Sequence, residues 1–385
     1  MRRLTTAGPV PITWIGPGPQ VEHQPKQEVI SNSKHMIQPK TNFSLDQITV
    51  VTCFFNLSKL ESGRPRNVEQ YLELCKHVLQ LPVNLFIVTD PDLGPWFWNY
   101  RKRLNLLDKT YIYSMKLKDS PYYRHLDLIK NCYKINQDGN TGFPQGLNRK
   151  KDTPLYVILG WTRYWLLQQA ASFNPFNSEA LIWMDCGLFH LYKDRAMEMR
   201  NLLLDNLSKY MKGGIRLMLL QDTHLFEIED RKKYYSSRVC KTAAGLFGGD
   251  LDKMIWFSQQ FNLEVKKCLN SGYPNLDEAL ANAVYTEHKD QFDPYYGDYH
   301  DLIPNFNGYQ QNLWYVAWTL EHSVKFKLWN LMLKECPLLI ECIEQTDNSF
   351  EIEEVRSIYQ AYIDCLKAVG QDYTELEAKI RDLIP

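Results

Sequence analysis

Asp185 directly follows an apolar run, residues 180–184, and Gly187 lies two positions after Asp185. Because such a run is typical of a buried strand, we expect Asp185 to lie where the strand ends and the chain turns into the crevice of an α/β sheet. A carboxylate there can bind Mg²⁺ or Mn²⁺ together with substrate phosphate oxygens, and a glycine lets the backbone approach a ligand closely. The alternative is that Asp185 only caps the next helix or turn.

Two β-branched runs earlier in the chain end in residues that suit a nucleotide. The first contains Thr52 and Phe54 near its end, and the second ends in Asp90. With a helix between them they form a βαβ unit, whose ligands bind at the carboxyl ends of the strands. We therefore predict that Thr52, Phe54 and Asp90 contact a nucleotide. Arg64 and Arg66 follow the first run and are placed to meet phosphate, although loop arginines are usually only solvated.

A run of small residues, 243–250, contains Gly245, Gly248 and Gly249. It lacks the strand and helix context that a GxGxxG dinucleotide site requires. It does precede a predicted helix, and the N-terminus of a helix favours anions. We interpret the run as backbone close to a donor sugar, with Gly248 as the candidate contact and Asp250 as a candidate acceptor for sugar hydroxyls.

The composition excludes several classes of protein. The chain has 385 residues, of which 44% are apolar and 23% charged, so a sizeable core is expected. The formal net charge of −1 provides no basic field for nucleic acid. The 9 cysteines form no CxxC pair, which argues against structural zinc and for free thiols in a reducing, cytoplasmic compartment. We recognise no signal peptide and expect no membrane span.

The pattern of apolar residues predicts the elements that carry these side chains. Residues 1–45 are expected to form a tail rich in Pro and Gln and partly disordered, and residues 136–152 an exposed loop. The predicted strands cover residues 48–55, 84–90, 109–116, 180–184 and 215–220, and the predicted helices cover residues 68–80, 156–172, 195–211, 251–269 and 277–288.

Several motifs resemble the HtrL/YibB family of bacterial and viral proteins. They are VVTCFF at 50–55, WTRYW at 161–165, NPFNS at 174–178, WMDCGLFH at 183–190 and YYGDY at 295–299 with Asn305 after it. The resemblance runs from about residue 47 to about residue 320, and its most specific part is the NPF and WxDxG segment. The layout of that family is similar to that of GT-A glycosyltransferases, which carry a DxD metal motif.

The resemblance implies a fold and a set of domains. It implies an α/β fold with a GT-A-like (Rossmann-like) mixed sheet flanked by helices and a helical C-terminal region. Residues 1–45 would be the tail, 46–325 the nucleotide-sugar domain and 326–385 a helical extension. Gly187 stands where DxD has its second Asp, so a Mn²⁺ or Mg²⁺ site at Asp185 would lack one carboxylate.

The resemblance also implies roles for residues outside the strand ends. Arg163, on the helix before Asp185, would face the nucleotide, where Arg suits a diphosphate; the alternative is a solvent-facing Arg. Asp277 or Glu278, at the start of a helix, would be the general base that deprotonates the acceptor; the alternative is helix capping. His300 would complete the metal site.

The residues around His300 leave further alternatives. Asp298 and Asp301 compete with it as ligands of a metal. The tyrosines of this loop, Tyr295, Tyr296 and Tyr299, either stack on a sugar or base or simply pack.

The function expected from these residues and the resemblance is transfer of a sugar from a nucleotide-sugar, with a UDP-sugar favoured, to an acceptor hydroxyl. The acceptor would be a carbohydrate, a glycoconjugate or a protein. The alternative is a non-catalytic carbohydrate- or nucleotide-binding protein on the same fold. A third hypothesis is nucleotidyl or phosphoryl transfer, which is disfavoured because the sequence contains no GxxxxGK[ST] loop.

Overall fold

The computed structural model describes residues 42–61, 67–134, 141–210, 212–221, 223–307 and 352–382, with scattered positions between 324 and 344. Most of the predicted N-terminal tail lies outside the described residues, as does the loop that carries Arg64 and Arg66. None of the helices in the described ranges is long and apolar enough to cross a bilayer.

A mixed sheet of seven strands in the order β3-β2-β1-β4-β6-β5-β7 organises the described chain. The strands are β1 (Ile48–Phe54), β2 (Asn84–Thr89), β3 (Thr110–Ser114), β4 (Ala180–Met184), β5 (Arg216–Leu219), β6 (Thr242–Asp250) and β7 (Tyr295–Tyr296). Strands β1 to β4 are parallel, and β6 runs antiparallel to both of its neighbours. The carboxyl ends of β1, β2 and β4 therefore share one edge, beside the start of β6.

Helices cover both faces of the sheet. They are α1 (Val68–Leu79), α2 (Gly94–Arg103), α3 (Leu126–Tyr133), α4 (Pro154–Phe173), α5 (Ala196–Ser208), α6 (Leu225–Glu229), α7 (Arg231–Tyr235), α8 (Leu251–Asn270) and α9 (Asp277–Glu287), followed by two C-terminal helices, Ile352–Val369 and Thr374–Asp382. Val51 and Trp183 pack on the face with α4, α8 and α9, whereas Val50 and Ile182 pack on the face with α1, α2 and α5. Burial on both faces explains why β1 and β4 are continuous apolar runs.

The predicted mixed α/β sheet flanked by helices, with a helical C-terminal region, is confirmed. Several elements of the fold were not expected from the sequence, and α2 and β6 show why. Helix α2 begins with Gly94 and Pro95 and is rich in aromatic and basic residues, so it lacks a clear apolar stripe. Strand β6 consists largely of Ala and Gly, which have low β-propensity.

Close packing explains the glycines of β6. Gly248 pairs with Ile182 of β4, and a Cβ at Gly248 would lie 2.4 Å from the Ile182 Cδ1 and 2.5 Å from the Leu181 carbonyl oxygen. A strand with larger residues at this position could not pair with β4. The small residues therefore bring the start of β6 next to the carboxyl end of β4.

Candidate active site

Asp185 is fixed at the end of β4 by its neighbours. Its backbone N–H donates to the Gly245 carbonyl at 2.9 Å, which continues the pairing of β4 with β6. The indole Nε1 of Trp183 donates to Asp185 Oδ1 at 2.9 Å. Burial raises the pKa of Asp185 despite the opposing effect of Arg163. The carboxylate is therefore held by Trp183 while 35% of the Asp185 side chain stays exposed.

Arg163 of α4 connects Asp185 to the start of α9. Its Nη2 lies 3.4 Å from Asp185 Oδ2, and its Nη1 lies 3.1 Å from Asp277 Oδ2. The guanidinium carbon also lies 5.8 Å from the centroid of the Trp183 ring. Burial disfavours the charge, but the two carboxylates outweigh burial and raise the pKa of Arg163. Arg163 is therefore a buried cation shared by two carboxylates, not a solvent-facing one.

Gly160, one turn before Arg163, lets α9 approach α4. A Cβ at this position would lie 2.6 Å from Asp277 Oδ1 and 2.9 Å from its Cγ. A glycine inside a helix is unfavourable, so this one is explained by the space that the carboxylate needs. Gly160 is not among the predicted site residues, and in the sequence only its place inside an apolar helix marks it.

We expect Gly160→Ala to destabilise the protein by about 1–3 kcal/mol, because the new methyl group displaces the Asp277 carboxylate. The better helix propensity of alanine offsets less than ~1 kcal/mol of this cost. Urea unfolding measures the change in the free energy of unfolding. Gly187→Ala is the matched control, since a Cβ there would lie 3.8 and 3.9 Å from Leu74 side-chain atoms, which is ordinary van der Waals contact. An equal effect of both substitutions would contradict the steric argument.

Glu278 is the carboxylate best suited to proton transfer at neutral pH. It follows Asp277 on α9, and the Tyr299 hydroxyl donates to its two oxygens at 3.2 and 3.3 Å. Burial, and next the charge of Asp277, raises the pKa of Glu278 to about 7. A general base is most effective when its pKa lies near the working pH. The structure thus separates two residues that the sequence left equivalent, because Asp277 is paired with Arg163.

The predicted nucleotide contacts of β1 and β2 lie in different surroundings. Phe54 is partly exposed at the end of β1, with its ring centroid 6.0 Å from that of Tyr71. Asp90, directly after β2, accepts the Asn56 backbone N–H at 2.8 Å, and burial raises its pKa. Phe54 and Asp90 are therefore partly exposed at the carboxyl ends of β1 and β2, whereas Thr52 is fully buried.

The structure does not bring Gly248 to this edge, because it pairs in the middle of β4. Gly245 lies there instead, and a Cβ on it would be 3.9 Å from Asp185 Oδ2. The predicted contact between the glycine run and a donor sugar is therefore better placed at Gly245. Asp250, at the far end of β6, accepts the Gly213 backbone N–H at 3.2 Å.

The predicted metal ligands do not form a preformed site in the described residues. His300 is exposed. The neighbouring carboxylates of Asp298 and Asp301 each accept a backbone N–H group of the turn that contains His300. Within the described ranges, no three His, Cys, Asp or Glu side chains come together as a metal site. Both oxygens of Asp185 already have protein partners, Trp183 and Arg163. These residues do not fit a cation site built by protein groups alone, and binding of Mn²⁺ or Mg²⁺ by Asp185 and His300 stays a prediction.

The tyrosines of the 295–299 loop differ in role. Tyr295 is buried and donates its hydroxyl to the Leu246 carbonyl at 2.7 Å, so it packs against β6. Tyr299 reaches Glu278, as described above. Arg238, which is not among the predicted site residues, lies in the electrostatic surroundings of Glu278 and Tyr299. Its position depends on a long-range contact between two loops, which no local pattern indicates.

Comparison with known proteins gives a distant structural likeness. The chain is similar to the crystal structure of mouse xyloside xylosyltransferase 1 in its apo form, with a TM-score of 0.34 and 10% sequence identity, over 69% of this chain and 95% of that chain. Among curated proteins, no match to the chain is found.

The comparison with protein families gives a match to HtrL_YibB, described as a bacterial protein of unknown function. The match covers residues 46–308, which is more than half of the chain and includes β1 to β7 and every carboxylate of the candidate site. This chain belongs to the HtrL/YibB family.

Proposed function

We propose that the protein is a glycosyltransferase that moves a sugar from a UDP-sugar to an acceptor hydroxyl, with Glu278 as the general base. One observation carries the proposal: Asp185, Arg163, Asp277 and Glu278 converge beside the carboxyl end of β4, and the pKa of Glu278 is about 7. Ligands of open α/β sheets bind at this edge. The resemblance of the family's layout to that of GT-A glycosyltransferases adds support.

The proposed reaction uses the carboxylates in different ways. The acceptor oxygen forms a bond to the anomeric carbon of the donor sugar, and its proton passes to Glu278. The bond from that carbon to the diphosphate oxygen breaks, and the nucleoside diphosphate leaves with the electron pair. Asp185, with its partly exposed carboxylate, is proposed to accept hydrogen bonds from hydroxyl groups of the bound donor.

The rest of the donor is proposed to lie along the ends of β1 and β2. Phe54 offers an aromatic ring for the nucleobase, and Asp90 offers a carboxylate that can accept an N–H or O–H group. The acceptor class stays open among carbohydrate, glycoconjugate and protein. We further propose a reducing, cytoplasmic setting, since each of the described cysteines is a free thiol.

A direct test is to screen nucleotide-sugars for thermal stabilisation, with and without Mn²⁺, and then to measure nucleotide release from those that bind. A ligand of the native state raises the unfolding temperature with its concentration. Binding followed by release of UDP in the presence of an acceptor supports the transferase. Binding without release favours the alternative, a binding protein on the same fold. No binding of any nucleotide-sugar at millimolar concentration contradicts the proposal.

We expect Asp185→Ala to lower turnover at least ~100-fold, as loss of a group that orients or stabilises the reacting substrate does. The fold should persist, because Arg163 keeps its partner Asp277. Turnover and circular dichroism are measured together, with Asp205→Ala as control, since Asp205 is exposed on α5 and pairs with Lys209 of the same segment. Equal turnover in Asp185→Ala and the parent would remove Asp185 from the site.

A further inference from the structure

The candidate site has more negative than positive side chains, which disfavours an anionic substrate. Three carboxylates, those of Asp185, Asp277 and Glu278, surround one buried cation. The guanidinium of Arg163 already bridges two of these carboxylates, so its charge is largely compensated. A diphosphate that approaches this edge would meet a field of its own sign unless another cation faces it.

Arg238 is a second cation at this edge. It is exposed, and its guanidinium lies in the electrostatic surroundings of Cys240, Tyr299 and Glu278. In the part of the chain that the structure describes, no carboxylate forms an ion pair with it. Unlike Arg163, Arg238 therefore keeps an accessible charge.

The backbone of Arg238 is held in place by two other segments. Its N–H donates to the Gln145 carbonyl at 2.7 Å, and the Gln145 N–H donates to the Ser236 carbonyl at 2.8 Å. The Asn275 Nδ2, just before α9, donates to the Ser237 carbonyl at 2.8 Å. These bonds tie the Arg238 segment to the segment that leads into Asp277 and Glu278. The backbone of Arg238 is therefore held in place, while the residue itself stays exposed.

We propose that Arg238 binds an oxyanion group of a substrate, either the diphosphate of the donor or an acidic group on the acceptor. The inference rests on the proposed function, because it assigns a ligand to the same site. A guanidinium can donate two parallel hydrogen bonds to a phosphate or carboxylate, which fixes orientation as well as charge. Arg238 thus supplies the positive charge that the carboxylates of this edge lack.

The test is calorimetric titration of the full chain with two probes, UDP for a donor and glucose 6-phosphate for an acidic acceptor. We expect Arg238→Gln to weaken binding of at least one probe by roughly tenfold or more, as loss of a charge-assisted hydrogen bond does. Arg238→Lys keeps the charge without the planar fork and should fall between the parent and Arg238→Gln. Arg103→Gln is the control, because Arg103 is exposed at the end of α2, over the Tyr100 ring.

The outcomes separate the sources of the oxyanion and the two proposals. Weaker UDP binding assigns Arg238 to the donor, and weaker binding of glucose 6-phosphate alone assigns it to the acceptor. If the parent binds a probe and Arg238→Gln binds it equally well, the role of Arg238 is overturned while the proposed function stands. If the parent binds neither probe, both fail. Thermal unfolding of each variant shows whether a loss of binding reflects a loss of fold.

Discussion

Replacing Arg163 by methionine is expected to destabilise the protein by about 3–5 kcal/mol, the cost of breaking a buried ion pair by removing one partner. Methionine keeps much of the apolar stem but leaves the carboxylates of Asp185 and Asp277 without their shared cation. Asp277 has only 7% of its side chain exposed, so water cannot replace the lost partner. Urea unfolding at neutral pH measures the loss.

Two controls separate charge from packing in this experiment. Arg195→Met removes an ion pair with Glu198 whose side chains are 68% and 59% exposed, and should cost no more than ~1 kcal/mol. Adding Asp277→Asn to Arg163→Met removes one stranded charge and should recover part of the stability. A loss below ~1 kcal/mol in Arg163→Met would show that the carboxylates are solvated, against the buried bridge described here.

Much of this fold could be predicted from local patterns. The strand predicted over residues 180–184 is β4, Ala180–Met184, because a strand buried on both faces is a continuous apolar run bounded by polar residues. The same pattern located β1 and β2. Since parallel strands end at one edge, the placement of Asp185 and Asp90 followed from the sequence as well. Helix periodicity placed Arg163 on α4 and Asp277 on α9.

The contacts that define the candidate site could not be predicted in this way. Arg163 and Asp277 are 114 positions apart, and their ion pair depends on the space left by Gly160. Strand β6 was not predicted because its glycines have low β-propensity; they are explained by the close approach of β4. The pKa of Glu278 is raised by burial, which the tertiary packing decides, and the Tyr299 hydroxyl that bonds to its carboxylate comes from a different element. Each of these features is a property of tertiary packing.

Replacing Glu278 by glutamine is expected to lower turnover by about 10²–10⁴-fold, the usual contribution of a general base. Glutamine keeps the shape of the side chain but cannot take the acceptor proton. In the parent, kcat/KM should fall tenfold per pH unit below the Glu278 pKa of about 7 and level off above it. Glu69→Gln, at an exposed position of α1, should change neither rate nor profile. An unchanged acidic limb in Glu278→Gln would assign the base elsewhere.

The same substitution has a consequence for stability that needs no substrate. Folding raises the pKa of Glu278 from 4.5 to about 7, so the folded state holds this proton more tightly than the unfolded chain. That stabilisation is fully present below pH 4.5 and is lost as the pH rises through 7, a change of about 3 kcal/mol at most. Glutamine stays neutral, so Glu278→Gln should gain stability relative to the parent between about pH 5 and about pH 8.5. Urea unfolding at both pH values measures the free energy of unfolding of Glu278→Gln relative to the parent. If this relative stability does not change with pH, Glu278 is ionised and solvated in the folded protein.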